Sequence, residues 1–317
     1  MDRVQLGVFP TPLHAAPRLS EQLGREVLLK RDDLTGLALG GNKVRNLEYL
    51  LADALREGAD IIVTAGGPHS NHVALAAIGA RRLGLDVLIV SYGSEPVERH
   101  GNRHLLDLAG ASVEFTGSDV RASVDPAMEE AAKRLRQCSR SPYVIPRGGA
   151  ITLGALGFFD AAFELREQTE ALGVEPATIV VATGSGGTQS GLVAGTAAAG
   201  MGTEVVGVTV SRPKDESVTR IHQLATECLA ARGYANRPVP PIQIIDDYLA
   251  LGYGKPSRQG TDAIEFALFT EGILLDPIFT AIAMAALRDY APKLAEPIVF
   301  WHTGGAATAV LAIGETA

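Results

Sequence analysis

A lysine stands at the start of a predicted helix in the segment LGGNKVRNLEYLL, residues 39–51. Leucines at helical spacing predict one apolar face, with charged residues on the other side. The apolar face comprises Leu47, Leu50, Leu51 and Leu55, and the other side carries Arg45, Glu48 and Arg56. Lys43 falls in the first turn, where the helix dipole disfavours a cation. A lysine held near its neutral form can act as a nucleophile or a base, whereas the alternative is a surface lysine whose flexible stem reaches water.

A glycine-rich segment, ATGSGGTQSGLVAG at residues 182–195, has the pattern of a strand end, a tight turn and a helix start. The backbone amides of such a turn can converge on an anion, here those of residues 185–188. The segment is not a dinucleotide fingerprint, because the third required glycine falls on Gln189, and no Gly-Lys-Ser/Thr follows as in a Walker loop. The pattern therefore favours a single phosphate monoester, with an ordinary strand–helix turn as the alternative.

The elements that must position these residues alternate along the chain. Short β-branched runs are separated by helical stretches rich in alanine and leucine, and they predict strands at 61–65, 86–92, 112–117, 143–146, 178–184, 204–211 and 297–305. Continuous apolar strands between helices are typical of a parallel sheet that is buried on both faces, hence of the α/β class. Glycine-rich loops follow several of these strands, at the ends where open α/β folds bind ligands.

Composition narrows the function further. The chain has 317 residues, of which 46% are hydrophobic and 20% charged, enough for two globular domains. A net charge of −8 and the lack of a dense basic cluster argue against nucleic acid as a partner. Two cysteines without metal-ligand spacing predict neither a disulfide framework nor a metal site, and they fit a reducing cytoplasm. We expect no signal peptide, because the N-terminal residues contain no sufficiently long apolar run, and we expect no membrane span, because no apolar run reaches the required length.

A phosphate site combined with a lysine at a different strand–helix junction suggests pyridoxal 5'-phosphate, which needs one amine and one anion cradle. The segment KRDDLTGLALGGNKVRNLEYLLADAL resembles the cofactor-lysine segment of the fold-type II pyridoxal-phosphate enzymes. Within that group it is similar to the D-cysteine desulfhydrase and 1-aminocyclopropane-1-carboxylate deaminase family. Five further motifs match that family in order, namely SNH (70–72), TGSGGTQSGL, GYGKPS (252–257), EGILLDPIFT (271–280) and HTGG (302–305).

The resemblance covers nearly the full chain and implies its architecture. The expected fold is that of a two-domain, tryptophan synthase β-like enzyme with open, largely parallel twisted sheets and helices on both faces. A larger cofactor-binding domain is expected from residues 1–42 and 153–317, and a smaller inserted α/β domain from 43–152. The cofactor is expected in the cleft between them.

The resemblance also implies roles for the cofactor residues. Lys43 is expected to bind the cofactor aldehyde covalently and then to serve as the base at the substrate Cα. Asn71 is expected to hydrogen-bond the cofactor's phenolic oxygen, and Thr303 to face the pyridine nitrogen. The expected phosphate site comprises Thr183, Gly184, Ser185, Gly186, Gly187 and Thr188. Without the resemblance, SNH is equally well explained as a helix N-cap. The less favoured alternative for Thr303 is a strand-end hydroxyl bonded to backbone.

Several positions are expected to surround the substrate. Ser70 is expected to bind the substrate carboxylate together with loop amides, and Tyr253 is the evident aromatic hydroxyl near the reacting atoms. The further predicted substrate contacts are His69, His72, Phe279 and Thr280. From the residues alone, His72 is equally well explained as a satisfied polar residue behind the loop.

Two threonines indicate a branch of the family. The deaminase that opens a cyclopropane ring carries Glu and Leu where this chain has Thr280 and Thr303. A hydroxyl at the pyridine nitrogen leaves the ring neutral and less electron-withdrawing, which is adequate when a good β-leaving group departs. Both threonines therefore favour the desulfhydrase branch.

Other positions depart from the family pattern. Phe279 stands where a tyrosine is usual, His69 replaces a glutamine, and Ala150 and Ile151 replace a serine and an asparagine. These changes leave the cofactor chemistry intact and favour a more apolar or differently charged β-substituent, because a site that has lost polar groups no longer rejects analogues lacking their partners.

The expected function is the pyridoxal-phosphate-dependent α,β-elimination of a small β-substituted amino acid, with D-cysteine as substrate. Alternatives within the class are opening of 1-aminocyclopropane-1-carboxylate and sulfite release from L-cysteate, and a non-catalytic pyridoxal-phosphate-binding protein is the alternative from another class. The family implies a homodimer located in the cytoplasm, without a membrane partner.

Overall fold

Ten strands, numbered β1 to β10 in chain order, form two sheets in the computed structural model, which describes residues 2–67, 70–97, 100–249 and 256–314. The larger sheet has the order β1-β2-β10-β7-β8-β9 and is parallel except for β1, which runs antiparallel to β2. Its strands are β1 (Leu13–Ala15), β2 (Val27–Arg31), β7 (Thr178–Thr183), β8 (Glu204–Thr209), β9 (Gln243–Ile245) and β10 (Ile298–His302). The smaller sheet has the order β5-β4-β3-β6 and is entirely parallel. Its strands are β3 (Ile61–Gly66), β4 (Asp86–Ser91), β5 (Ser112–Phe115) and β6 (Pro142–Ile145).

Most of the helices lie in crossover connections, which parallel strands require, whereas α1 lies between the antiparallel strands β1 and β2 and α11 follows the last strand. They are α1 (Pro17–Leu23), α2 (Lys43–Arg56), α3 (Asn71–Arg82), α4 (Gly101–Leu108), α5 (Val124–Gln137), α6 (Thr152–Leu172), α7 (Gly187–Ala199), α8 (Lys214–Ala231), α9 (Arg258–Glu271), α10 (Thr280–Tyr290) and α11 (Ala306–Gly314). Within the described ranges, none of the helices combines the length and the apolar character needed to cross a membrane.

The central strands of both sheets are buried on both faces, as their apolar sequences predict, whereas the edge strands β1 and β5 are partly exposed. Along β7, Val180 and Ala182 pack into one apolar cluster, whereas Ile179 and Val181 pack into the cluster on the opposite face. In the smaller sheet, Ile62 points to one cluster while its neighbours on β3 point to another. The predicted α/β class with helices on both faces is therefore confirmed.

All seven strands predicted from the sequence are present, and three more were not anticipated, namely β1, β2 and β9. The four strands of the smaller sheet fall within residues 43–152, and those of the larger sheet fall within 1–42 and 153–317. This partition is compatible with the expected domain division, whose boundaries remain a prediction.

Helix α2 differs from a simple amphipathic surface helix. Its leucine face is buried as expected, except that Leu55 is 39% exposed. Its charged side is largely buried as well, because other parts of the chain supply partners for the charges. Glu48 accepts hydrogen bonds from the backbone amides of Leu6 and Gly7, and Arg45 pairs with the buried carboxylate of Asp32 and the partly buried carboxylate of Glu164. The helix that begins at Lys43 is therefore fixed by apolar packing on its leucine side and by hydrogen bonds and ion pairs on its charged side.

Candidate active site

A cavity of about 270 Å³ opens where the carboxyl ends of strands from the two sheets face one another. Residues that directly follow β3, β4 and β6 line it from one side, and residues that follow β7, β8 and β10 line it from the other. This is the location that parallel α/β topology predicts for a ligand. The sequence-predicted residues that line the cavity are Lys43, Ser70, Asn71, His72, Thr183, Gly184, Ser185, Gly186, Thr188, Phe279 and Thr303.

Lys43 is the first residue of α2 and reaches this cavity. It has no hydrogen-bond or ion-pair partner among the residues that the structure describes. Burial lowers the pKa of its ammonium from 10.5 to about 8, because the charged form loses its hydration. A neutral amine is thus accessible near physiological pH, as a nucleophile or base requires.

The glycine loop between β7 and α7 presents free backbone donors. Helix α7 begins at Gly187 without a side-chain cap, and its N-cap residue Gly186 has φ +93°, a left-handed conformation that favours glycine. No described residue accepts a hydrogen bond from the amides of residues 185–188. Because unsatisfied amides at a helix N-terminus bind anions, this loop can hold a phosphate.

Two threonine hydroxyls add to this anion cradle. The Thr183 hydroxyl is buried and has no partner among the described residues, an arrangement that is costly unless a ligand completes it. The Thr188 hydroxyl accepts a hydrogen bond from the Asn42 side chain at 3.1 Å, so its own proton remains available to an anion. Gly187 does not itself line the cavity, and a Cβ there would lie 3.2 Å from the Cα of Ala150.

Two arginines hold the same loop through its carbonyl groups. Arg212 donates to the Gly184 carbonyl at 2.6 Å, and Arg220 donates to the Ser185 carbonyl at 2.7 Å. In a trans peptide the N–H points opposite to the C=O, so the amides that follow these carbonyls point away from the arginines. Burial, followed by the charges of Arg212 and Arg147, lowers the pKa of Arg220. This electropositive surrounding favours an anion at the loop.

The SNH segment has the geometry of a helix start, and its side chains remain available to a ligand. Ser70 is the N-cap of α3, but its hydroxyl makes no capping hydrogen bond. The Asn71 side-chain oxygen accepts from Asn102 at 2.7 Å and from Thr308 at 3.4 Å. The Asn71 amide is therefore oriented so that its NH₂ can donate elsewhere, as the predicted bond to a phenolic oxygen requires.

His72 is buried behind this segment as a neutral imidazole. Burial and the charge of Lys43 lower its pKa to about 3. Its Nε2 lies 3.0 Å from the Thr64 hydroxyl, which itself donates to the Ile145 carbonyl at 2.8 Å. Since that hydroxyl has a single proton, Nε2 must carry the imidazole proton and Nδ1 must be an acceptor. Nδ1 is buried and has no partner among the described residues.

Thr303 follows β10 on the opposite side of the cavity. No hydrogen bond from a described residue occupies its hydroxyl, so the alternative of a hydroxyl bonded to backbone is not what the structure shows. The preceding His302 donates from Nε2 to the Leu274 carbonyl and accepts from the Gly304 amide at Nδ1, both at 3.1 Å. His302 thereby fixes the loop that carries Thr303, a role the sequence did not reveal.

Two of the predicted substrate residues, Phe279 and Thr280, differ in whether they line the cavity. Phe279 lines the cavity, with its ring edge 3.2 Å from where a Cβ at Gly184 would lie. Thr280 does not line it, because its side chain is buried at the start of α10, where its hydroxyl lies 2.8 Å from Asp276 Oδ1. The Asp276 carboxylate also accepts amides of this first turn, at Phe279 and Thr280.

Four other positions singled out in the sequence contribute no described side chain to the cavity lining. His69 and Tyr253 lie outside the residues that the structure describes, so their proposed contacts remain predictions. Ala150 and Ile151 are described but do not line the cavity. Ala150 packs behind the glycine loop, and Ile151 packs against the apolar cluster of the smaller sheet. These two positions therefore add no polar group to the lining of this cavity.

Several cavity residues were not predicted from the sequence, namely Asn42, Tyr92, Arg121, Asp125, Arg147, Arg212 and Arg220. A signal existed for some of them. Tyr92 follows β4, Arg147 follows β6 and Arg212 follows β8, at the carboxyl ends of parallel strands. Arg121 and Asp125 lie around the start of α5, six and ten residues after the end of β5, and not directly after a strand.

One amine of lowered pKa, an anion cradle, a donor amide and a free hydroxyl surround one cavity. These are the groups that a phosphorylated pyridine aldehyde requires, so the fold and the cavity define the class: an α/β enzyme that uses pyridoxal phosphate. Sequence comparison agrees. The model of the family described as "pyridoxal-phosphate dependent enzyme" matches residues 4–304, and the chain belongs to this family.

Individual relatives are similar over nearly their whole length. A D-cysteine desulfhydrase from Klebsiella pneumoniae (strain 342) is 43% identical over 96% of this chain and 94% of that protein. One from Salmonella newport (strain SL254) is 42% identical over the same shares. Among solved structures, an ACC deaminase homologue has a TM-score of 0.90 at 37% identity, covering 100% of this chain and 95% of the other. A fungal L-serine ammonia-lyase from Rhizomucor miehei has a TM-score of 0.70 at 22% identity, covering 98% of each chain, and shares the fold.

Proposed function

We propose that this chain is a lyase that eliminates the β-substituent of a small amino acid and that D-cysteine is a substrate, giving pyruvate, hydrogen sulfide and ammonia. The observation that carries this proposal is that Lys43 and the hydroxyl of Thr303, which has no partner among the described residues, line the same cavity. The relatives named D-cysteine desulfhydrase support it, as they are similar over nearly the full chain.

The cofactor, when bound, supplies an electron sink that stabilises negative charge at the substrate Cα. Lys43, whose amine loses its proton near neutral pH, takes the proton from Cα. Ser70 and the amides at the start of α3 bind the substrate carboxylate, which favours a helix N-terminus. The Asn71 amide donates to the cofactor's phenolic oxygen, and the amides of residues 185–188 hold its phosphate.

Thr303 sets the strength of the electron sink. A hydroxyl leaves the pyridine nitrogen neutral, whereas a carboxylate would keep it protonated. Breaking an unactivated C–C bond in a cyclopropane ring demands more electron withdrawal than expelling a thiolate. The arrangement therefore supports β-elimination over 1-aminocyclopropane-1-carboxylate opening, which remains the alternative.

A product assay over D- and L-amino acids with β-leaving groups tests the proposal. We expect pyruvate from D-cysteine and no 2-oxobutyrate from 1-aminocyclopropane-1-carboxylate. Efficient formation of 2-oxobutyrate would assign the protein to the deaminase branch. Absence of turnover with every β-substituted alanine, in protein that retains its cofactor, would support a non-catalytic carrier.

We also propose that the protein is a homodimer in the cytoplasm, as its family resemblance implies. Light scattering of the purified protein tests the first point, because a dimer has twice the mass of the 33.2 kDa chain. Fractionation of cells tests the second.

A further inference from the structure

The Asn71 side-chain oxygen accepts two hydrogen bonds from within the protein. Asn102 Nδ2 donates to it at 2.7 Å, and the Thr308 hydroxyl donates to it at 3.4 Å. Asn102 Nδ2 also lies 3.4 Å from the Thr308 hydroxyl, so the three side chains form a closed triangle. Because both lone pairs of the Asn71 oxygen have a donor, the Asn71 NH₂ group is left for a partner outside the triangle.

The triangle joins helices from both parts of the chain. Asn71 is the first residue of α3 and Asn102 the second residue of α4, and both helices lie between strands of the smaller sheet. Thr308 is on α11, which follows β10 of the larger sheet and packs against α4. Its backbone amide donates to the Gly305 carbonyl at 3.0 Å, which fixes it in the first turn of α11. The orientation of Asn71 therefore depends on the contact between α4 and α11.

The surroundings of the triangle make this orientation costly to change. Asn102 is only 3% exposed, so water has little access to it. A small cavity of about 20 Å³ adjoins the triangle, and its described lining consists of glycines and apolar side chains apart from Asn71 and Asn102. Turning the Asn71 amide by 180° would place its NH₂ against the NH₂ of Asn102. Two donors would then face each other in surroundings of low polarity, where an unmade hydrogen bond is expensive.

We propose that Asn102 and Thr308 are positioning residues, which hold the Asn71 NH₂ group toward the cofactor's phenolic oxygen. They thereby set how readily the linkage between Lys43 and the cofactor loses its proton. This inference rests on the contact between Asn71 and the cofactor that the proposed function includes. A donor at the phenolic oxygen stabilises its negative charge, so the oxygen holds the proton that it shares with the linkage less tightly. With the Asn71 amide turned, its carbonyl oxygen would face the phenolic oxygen, and the proton would be held more tightly.

A pH titration of the absorbance of the holoprotein, without substrate, measures this proton. In Asn102→Asp, the new carboxylate accepts but does not donate, so the Asn71 amide turns. The acid dissociation constant of the linkage then falls by about 10- to 100-fold, the range for a lost hydrogen bond to a charged group. The helix dipole favours a carboxylate at the second residue of α4, so the variant should fold. The control His104→Asp places the same charge at an exposed position of α4 and should leave the constant unchanged.

Two further variants separate positioning from other effects. Asn71→Ala alone should lower the constant, and adding Asn102→Asp to it should lower the constant no further, because both substitutions act on the same hydrogen bond. Thr308→Val removes only the longer bond to Asn71 and should lower the constant by less than Asn102→Asp does.

Additive effects of Asn71→Ala and Asn102→Asp would assign Asn102 a direct or merely structural effect and overturn the inference. An unchanged constant in Asn102→Asp would do the same, and if that variant does not fold, an unchanged constant in Thr308→Val decides against the inference. No change in Asn71→Ala would refute the contact between Asn71 and the cofactor, and the inference with it. Because the titration needs no substrate, a failure of the proposed elimination would appear separately, in the product assay.

Discussion

Arg45 donates to both carboxylate oxygens of Asp32, from Nε at 2.9 Å and from a terminal nitrogen at 2.8 Å. The same carboxylate accepts from the Trp301 indole at 2.8 Å. Arg45 lies two residues after Lys43 on α2, and Trp301 lies on β10, two residues before Thr303. One buried carboxylate thus connects the elements that carry the two central residues of the candidate site.

Replacing Asp32 tests this connection. Asp32→Asn leaves Arg45 without its full ion pair in a buried site, so we expect the free energy of unfolding to fall by about 3–5 kcal/mol. Denaturation in urea measures the loss. The control Glu114→Gln removes an exposed pair with Arg134 and should cost less than about 1 kcal/mol. Equal effects of the two substitutions would contradict the connection.

The glycine loop can be tested by placing a charge in it. Ser185→Asp introduces a carboxylate that repels the phosphate at close range, so the purified variant should lose most of its cofactor while remaining folded. Ser185→Asn has the same size without the charge and serves as the control. Cofactor content by absorbance and folding by circular dichroism are the measurements. Full occupancy in a folded Ser185→Asp variant would refute the phosphate assignment.

The lowered pKa of Lys43 predicts how cofactor capture depends on pH. Only the neutral amine attacks the aldehyde, so the rate of capture by cofactor-free protein should rise with pH and level off above about 8. The absorbance change on mixing with pyridoxal phosphate follows the rate, with N-acetyl-lysine as the unperturbed control. A rate that keeps rising to the ordinary lysine value of 10.5 would show that Lys43 is not desolvated.

The ring of Phe279 offers a test at the substrate side. If the missing phenol assists proton transfer, Phe279→Tyr should raise the rate of pyruvate formation from D-cysteine, toward the contribution of about 10²–10⁴-fold that a positioned acid or base makes. Phe269→Tyr, on the exposed side of α9, should leave the rate as it is. No gain in Phe279→Tyr would mean that another group performs the transfer.

Local patterns in the sequence predicted the helix at Lys43, the glycine loop and seven strands. The three strands that escaped prediction have physical reasons. Strands β1 and β9 have only three residues each, too short for a periodic signal. Strand β2 ends in Lys30 and Arg31, and these charged residues interrupt the apolar pattern by which a buried strand is recognised. Lys30 is tolerated there because Glu164, far along the chain, pairs with it.

The site was less predictable than the fold, because part of it depends on contacts between residues that are distant in the sequence. Lys43, Asn71 and Thr303 were found because each belongs to a recognisable motif. The pairing of Arg147 with Asp125 depends on the packing of α5 beside β6, which no local pattern encodes. Thr280 shows the reverse case. Its motif predicted a substrate contact, whereas the hydroxyl binds Asp276 within the protein.

Borohydride reduction of the purified holoprotein followed by peptide mapping tests the central assignment most directly. We expect a yellow protein in which the reduced cofactor is attached to Lys43 alone. Lys43→Ala should lose both the attachment and turnover, whereas Lys133→Ala, at an exposed position of α5, should retain both. Attachment at another lysine, such as Lys30 or Lys255, would contradict the assignment of Lys43 as the cofactor-binding residue.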